Sequence, residues 1–121
     1  MAFILVLEDR KMPEKIKEIF NLAKNEKVEI YIPAIVFAEL AYLSEKNRIN
    51  TNLKEAEIFL DNHKKIIQYP LTISVVKQAF KINDIPELHD RLISAVGREL
   101  QIPILTNDPI IQSSKHVEFL W

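Results

Sequence analysis

The segment from Pro86 to Asp108 constrains the fold most, because it predicts a helix that leads directly into a short buried strand. The apolar residues of the helix recur at helical spacing, at Leu88, Leu92, Ala95, Val96 and Leu100. Pro86 suits the start of a helix, and Pro103 forces the chain out of helical geometry just before it. Ile104 and Leu105 then predict a strand too short to stand alone. The segment therefore indicates one helix–strand unit of a larger sheet.

The rest of the chain repeats this alternation. Helices are predicted over Pro13–Asn25, Ile35–Lys46, Leu53–Asn62 and from Thr72 to Ile82, and strands over Ala2–Leu7, Val28–Ile32, Ile66–Tyr69 and Val117–Leu120. Asn50-Thr51-Asn52 breaks the second of these helices and can cap the third. Strands that alternate with helices indicate an α/β fold with a mainly parallel sheet.

Length and composition exclude several classes of protein. A chain of 121 residues with 48% hydrophobic and 27% charged residues predicts one globular domain. It has no cysteine, so disulfides and thiolate chemistry are excluded, and its net charge of −1 argues against a strongly basic nucleic-acid coat. The apolar run Ala2–Leu7 is too short for a membrane span and lacks the basic start of a signal peptide. We expect a cytoplasmic protein without a membrane partner.

Two carboxylates lie at positions from which they can share a pocket. Asp90 falls in the first turn of the predicted helix, where the helix dipole favours an ionised acid. Asp108 falls just past the carboxyl end of the strand Ile104–Leu105, at the sheet edge where α/β proteins bind ligands. Each acid alone is also explained by ordinary capping or by the turn sequence Asn-Asp-Pro. Their convergence makes a metal site the hypothesis to test.

Glu39 is a third candidate, since it is the only charged residue between Pro33 and Leu43. A carboxylate in such apolar surroundings is costly unless it is paired, hydrogen-bonded or bound to a cation. Three acids of this kind suit Mg²⁺ or Mn²⁺, which prefer oxygen ligands and can catalyse phosphodiester cleavage by activating a water. An acid on a narrow hydrated stripe, or half of a buried ion pair, is the alternative explanation for Glu39.

Other chemistries find little support. The histidines at 63, 89 and 116 lack the paired spacing of zinc ligands, and the single glycine, Gly97, lies within a helical pattern. Arg91, beside Asp90, is the cation that we most expect near a substrate phosphate, although a surface ion pair would explain it equally simply.

Three segments carry a resemblance to a known family. Pro33-Ala-Ile-Val-Phe-Ala-Glu39-Leu, His89-Asp90-Arg-Leu-Ile-Ser-Ala and Ile104-Leu-Thr-Asn-Asp108 resemble the PIN domain, particularly the VapC-like toxins of toxin–antitoxin pairs. The resemblance implies an α/β/α three-layer sandwich and a Mg²⁺- or Mn²⁺-dependent endoribonuclease, often a homodimer, that a partner antitoxin neutralises. It also implies that Glu39, Asp90 and Asp108 are the metal-binding and catalytic acids of a single PIN-like domain over residues 1–121.

The N-terminal segment departs from the family pattern. PIN domains usually begin with a strand that ends in Asp-Thr or Asp-Ser, whose aspartate is the first metal ligand, and this sequence has no such motif. Ala2-Phe-Ile-Leu-Val-Leu-Glu-Asp-Arg resembles the helix and loop that follow that strand, so the chain is expected to start late and to lack the first acid. Alternatively, Phe3–Leu7 is the strand itself and Glu8 or Asp9 replaces the missing ligand. A PIN-like module that binds RNA or an antitoxin without effective catalysis remains the competing function.

Overall fold

The computed structural model describes residues 2–121, which contain seven helices and four short strands. The chain divides into two compact units, one up to Tyr69 and the other from Pro70 onward. Both units combine helices with a parallel pair of strands, so the predicted α/β class and the predicted parallel pairing are confirmed.

The first unit contains four helices and two strands. In chain order these are α1 Ala2–Leu7, α2 Glu14–Lys24, β1 Ile30–Pro33, α3 Ala34–Glu45, α4 Leu53–Asn62 and β2 Ile66–Tyr69. β1 and β2 pair in parallel, with Ile30 opposite Ile66 and Pro33 opposite Tyr69. α2 buries Ile16, Phe20 and Ala23, which recur at helical spacing.

The N-terminal segment is a helix, as its resemblance to the helix after the first PIN strand implies, and the alternative prediction of a strand over Ala2–Leu7 is wrong. Its six residues are all apolar, and a short apolar run suits a buried helix as well as a buried strand. As a helix it buries Phe3 and Ile4. The Phe3 ring packs edge-on against Phe37 and Phe59, with centroid distances of 5.6 and 5.8 Å. These aromatic contacts fix α1 within the first unit.

The second unit contains three helices and two very short strands. They are α5 Ile73–Ala79, α6 Leu88–Leu100, β3 Ile104–Leu105, α7 Pro109–Gln112 and β4 Phe119–Leu120. β3 and β4 pair in parallel, with Ile104 opposite Phe119. α7 was not predicted, because the Asn-Asp-Pro sequence also starts an ordinary turn. Here Pro109 takes the first helical turn, where its missing N–H costs nothing.

The helix α6 covers the predicted apolar period from Leu88 to Leu100 and has a sharp end. Gln101 adopts a left-handed conformation with φ of 57°, and the N–H of Ile102 returns to the carbonyl of Gly97 at 3.0 Å. α5 is shorter than predicted and ends at Ala79 instead of near Ile82. Ile82 lies beyond the end of α5 and is buried in the core of the second unit. The buried members of this core are Ile82, Ile85, Ile104 and Ile111.

Gly97 sets the distance between α6 and the strand β3. A Cβ atom placed on Gly97 would lie 2.8 Å from Cγ1 of Ile104 and 3.1 Å from the carbonyl oxygen of Ile102. A separation below about 3 Å is inside van der Waals contact, so glycine alone fits without a shift. The helix that carries Asp90 and the strand that leads to Asp108 are therefore held together closely.

Candidate active site

The start of α6 is organised by an acid that the sequence analysis did not single out. Glu87 is the N-cap of this helix, and its carboxylate oxygen Oε2 accepts a hydrogen bond from the backbone N–H of Asp90 at 2.8 Å. An acid directly after Pro86 and three residues before Asp90 is the signal that could have revealed it. Glu87 thereby fixes the first turn from which the Asp90 side chain projects.

Asp108 is the N-cap of the short helix α7. Its Oδ1 accepts a hydrogen bond from the N–H of Ile110 at 2.9 Å, and its own N–H donates to the Thr106 hydroxyl at 3.1 Å. Asp108 comes three residues after the last residue of β3, Leu105, as the sequence predicts. These two hydrogen bonds hold the Asp108 backbone and one carboxylate oxygen in a defined orientation.

Asp90 and Asp108 interact electrostatically within the second unit. Burial raises the pKa of the half-buried Asp90 above its ordinary value, and the negative charges of Glu87 and Asp108 raise it further. His89 opposes this rise in the pKa of Asp90. Mutual repulsion of carboxylates is the situation that a bound cation relieves. Two of the three predicted acids thus influence each other electrostatically.

Glu87 differs from Asp90 in its electrostatics. The pKa of Glu87 is lowered mainly because its carboxylate accepts the hydrogen bond from the N–H of Asp90, and His89 lowers it further. The ring nitrogen Nδ1 of His89 lies 3.3 Å from Oε1 of Glu87. Glu87 therefore stays ionised beside Asp90 and adds negative charge to the site.

Two further residues of α6 lie within one turn of Asp90. The Arg91 Nε donates to the backbone carbonyl of Ile85, and its guanidinium carbon lies 5.5 Å from the centre of the Phe80 ring. The contact with a substrate phosphate expected for Arg91 stays a prediction. Ser94 is fully buried, and its hydroxyl has no hydrogen-bond partner among residues 2–121. It follows Asp90 by four positions, which places both on one face of the helix.

Glu39 lies in α3 of the first unit and is half-buried. It follows the buried Val36 by three positions and precedes Leu43 by four, so it lies on the same face of α3 as both. Its assignment as a metal ligand stays a prediction from the sequence.

Glu8, considered as a substitute for the missing first acid, has a structural role in the first unit. Its side chain is only 6% exposed and pairs through Oε1 with Arg10. Oε2 accepts hydrogen bonds from the N–H groups of Asn50 and, at 2.9 Å, Thr51. The bond from Thr51 is the main reason that the pKa of Glu8 is lowered. Since both carboxylate oxygens are engaged, Glu8 holds the loop between α3 and α4. Asp9 is exposed, with a left-handed φ of 52°.

Asp90 and Asp108 are the two acids of the second unit that the sequence predicts as ligands of a divalent cation. Across the described part of the chain, residues 2–121, no group of three or more His, Cys, Asp or Glu side chains is arranged to hold a metal ion. Mg²⁺, however, commonly uses only one or two protein carboxylates and completes its octahedron with waters and substrate phosphates. The assignment of Asp90 and Asp108 as metal ligands stays a prediction; the pKa of Asp90 is raised first by burial and then by the negative charges of Glu87 and Asp108.

Comparison with known families identifies the class of the protein. The sequence model of the PIN domain matches residues 2–115, and the chain therefore belongs to the PIN domain family. PIN domains are generally nucleases, which makes a hydrolase the class of enzyme to consider. A comparison with curated proteins gave no match. No helix within residues 2–121 has the length and apolar character needed to cross a membrane.

Proposed function

We propose that this chain is a Mg²⁺- or Mn²⁺-dependent endoribonuclease of the toxin–antitoxin type. The observation that carries the proposal is the interaction of Asp90 with Asp108, at the start of α6 and just after β3, in a member of the PIN family. An acid pair of this kind suits a hard cation, and hard cations are the usual means of hydrolysing phosphodiesters.

Asp90 and Asp108 would hold the cation, and Glu39 is proposed as a third ligand on the basis of the family resemblance. When bound, the ion would supply an activated water and neutralise the charge that develops on the phosphate. Glu87 holds the Asp90 backbone through its hydrogen bond of 2.8 Å, while the Ile110 and Thr106 contacts orient Asp108. Such preorganisation matters because a misplacement of about 1 Å can reduce a rate by about 100-fold.

The biological setting belongs to the same proposal. An RNA substrate, a cognate antitoxin protein, a homodimer and a cytoplasmic location are all properties that the resemblance to VapC-like toxins suggests. The shortage of acids favours a second candidate, a PIN-like module that binds RNA or an antitoxin and cleaves weakly or not at all. No group of three metal-binding side chains is present among the residues described, and this observation is what supports the second candidate.

A cleavage assay separates the two functions. Purified protein is incubated with a 3′-labelled single-stranded RNA in Mn²⁺ and, in parallel, in chelator. We expect metal-dependent products, with a 5′-phosphate on the downstream fragment, that are lost in Asp108→Asn and Glu39→Gln. The matched control is Asp61→Asn, an exposed acid of α4, which should cleave like wild type.

Cleavage that persists in chelator, or equal cleavage by Asp108→Asn, would contradict the metal-dependent mechanism. Absence of cleavage in both conditions, together with retained RNA binding, would favour the binding module. Circular dichroism of each variant establishes that the substitution left the fold intact.

A further inference from the structure

The aromatic side chain of Phe80 is not buried in the core of the second unit. It follows α5 directly as its C-cap residue and is 64% exposed. A large exposed ring is unfavourable in water and commonly marks a binding surface when a polar group accompanies it. Here the companion is Arg91, whose guanidinium carbon lies 5.5 Å from the ring centre. The two side chains form an aromatic–cation pair on the surface.

Arg91 is held in place on its other side. Its Nε donates a hydrogen bond to the carbonyl of Ile85, a residue that is completely buried in the core. That bond uses Nε and leaves the two Nη groups out of it. The guanidinium is therefore fixed next to Phe80 before any ligand arrives, and little side-chain entropy has to be lost on binding.

The pair lies directly beside the candidate active site. Arg91 follows Asp90 in α6, so their Cα atoms are about 3.8 Å apart and their side chains project about 100° from each other. A nucleic-acid strand whose phosphate reaches Asp90 would bring a neighbouring nucleotide to Arg91 and Phe80.

We propose that Phe80 and Arg91 form a stacking subsite for an unpaired nucleobase and its phosphate, adjacent to Asp90. This inference rests on the proposed ribonuclease function, and it deepens that function by naming two residues that would hold a nucleotide beside Asp90. Base stacking on an aromatic ring is the usual way to bind single strands without reading their sequence, and a guanidinium provides donors for the phosphate.

The charge of Arg91 favours nucleic acid over an apolar protein partner as the occupant. An apolar surface pressed onto Phe80 would desolvate the guanidinium without supplying an anion, which is costly. A nucleotide offers a π-face for the ring and a negative charge for the cation in one ligand.

Binding is measured in chelator, so that cleavage plays no part, with a fluorescently labelled 12-nucleotide single-stranded RNA and anisotropy as the readout. Stacking of one base contributes about 1–3 kcal/mol, so Phe80→Ala should weaken binding by about 5-fold to about 140-fold. Phe80→Trp should bind at least as tightly as wild type. The matched control is Ile73→Ala on α5, a residue 72% exposed, which should leave the affinity unchanged.

A second probe tests the requirement for bases. An abasic oligonucleotide of the same length should bind wild type as weakly as RNA binds Phe80→Ala. Equal RNA affinity of wild type and Phe80→Ala would overturn the subsite, and so would an equal loss in Ile73→Ala. Loss of self-association in Phe80→Ala by sedimentation, with RNA affinity unchanged, would assign the surface to a second copy of the chain and also overturn the proposal. Failure of wild type to cleave RNA in Mn²⁺ would refute the nuclease function alone, since the binding result is obtained without metal.

Discussion

Replacing Gly97 with alanine should destabilise the second unit, although alanine is the better helix former. Gly97 lies in α6, where its absent side chain allows close packing against Ile104 of β3. The new methyl carbon would meet Cγ1 of Ile104 at 2.8 Å, the Ile102 carbonyl oxygen at 3.1 Å and Cδ1 of Ile104 at 3.2 Å. Either the buried Ile104 must move or the helix must withdraw from the strand.

The two opposing effects can be compared in size. Alanine gains about 1 kcal/mol over glycine within a helix. Overpacking a core costs about 1–3 kcal/mol, and a backbone oxygen among the contacts places this site in the upper half of that range. The net loss in the free energy of unfolding should be about 1–2 kcal/mol, which lowers Tm by about 3–8 °C in a domain of this size.

Urea denaturation followed by circular dichroism measures this loss, and a double-mutant cycle with Ile104→Ala assigns its cause. In the Ile104→Ala background two of the three close atoms are gone and only the Ile102 oxygen remains, so Gly97→Ala should cost less than in wild type, with a coupling energy of about 1 kcal/mol or more. A Gly97→Ala protein that is as stable as wild type would refute the close packing. So would a cost that stays the same in both backgrounds.

Three further predictions concern charges and caps. Asp90→Asn should raise stability in chelator. Because the folded-state pKa of Asp90 is raised, its ionisation destabilises the fold as pH increases from the unfolded value of 3.8. Thermal melts at a series of pH values should show the stability advantage of the variant growing until the folded-state pKa is passed. Glu8→Gln should lower stability at pH 7, because the lowered folded-state pKa of Glu8 stabilises the fold above pH 4.5. In the same melts, the stability deficit of the variant should shrink as pH falls through the folded-state pKa of Glu8. Asn52→Ala should lower the free energy of unfolding, measured by urea denaturation, by about 1 kcal/mol. The reason is that the Asn52 side chain accepts a hydrogen bond from the N–H of Glu55 at 2.9 Å at the start of α4. An unchanged free energy of unfolding would show that this cap does not stabilise the helix.

Much of the helical structure follows from local sequence signals. α4 begins where Asn52 can cap it, α5 begins after Thr72, whose hydroxyl accepts the N–H of Val75, and α6 shows an unbroken apolar period. Each signal spans only a few residues, so sequence alone can locate it. The strand predicted over Ala2–Leu7 failed because an apolar run of six residues carries no period that separates a buried helix from a buried strand.

The candidate site was predictable to the extent that it is local. Asp90 and Asp108 belong to one helix–strand unit, and their interaction follows from the tight turn between α6 and β3. The role of Glu8 was not predictable, because its hydrogen bonds reach Asn50 and Thr51, more than forty positions away. Partners at such a distance depend on the packing of whole helices, which no local pattern encodes.

Binding of Mn²⁺ tests the central claim most directly, which is that Asp90 and Asp108 share one cation. Titration by isothermal calorimetry is performed on wild type, Asp90→Asn, Asp108→Asn and the double variant, with Asp61→Asn as the exposed control. Wild type and the control should bind one ion, both single variants should lose most of that affinity, and the double variant should lose little more than either, because the two acids hold the same ion. Undiminished Mn²⁺ binding by Asp90→Asn or Asp108→Asn would contradict the account.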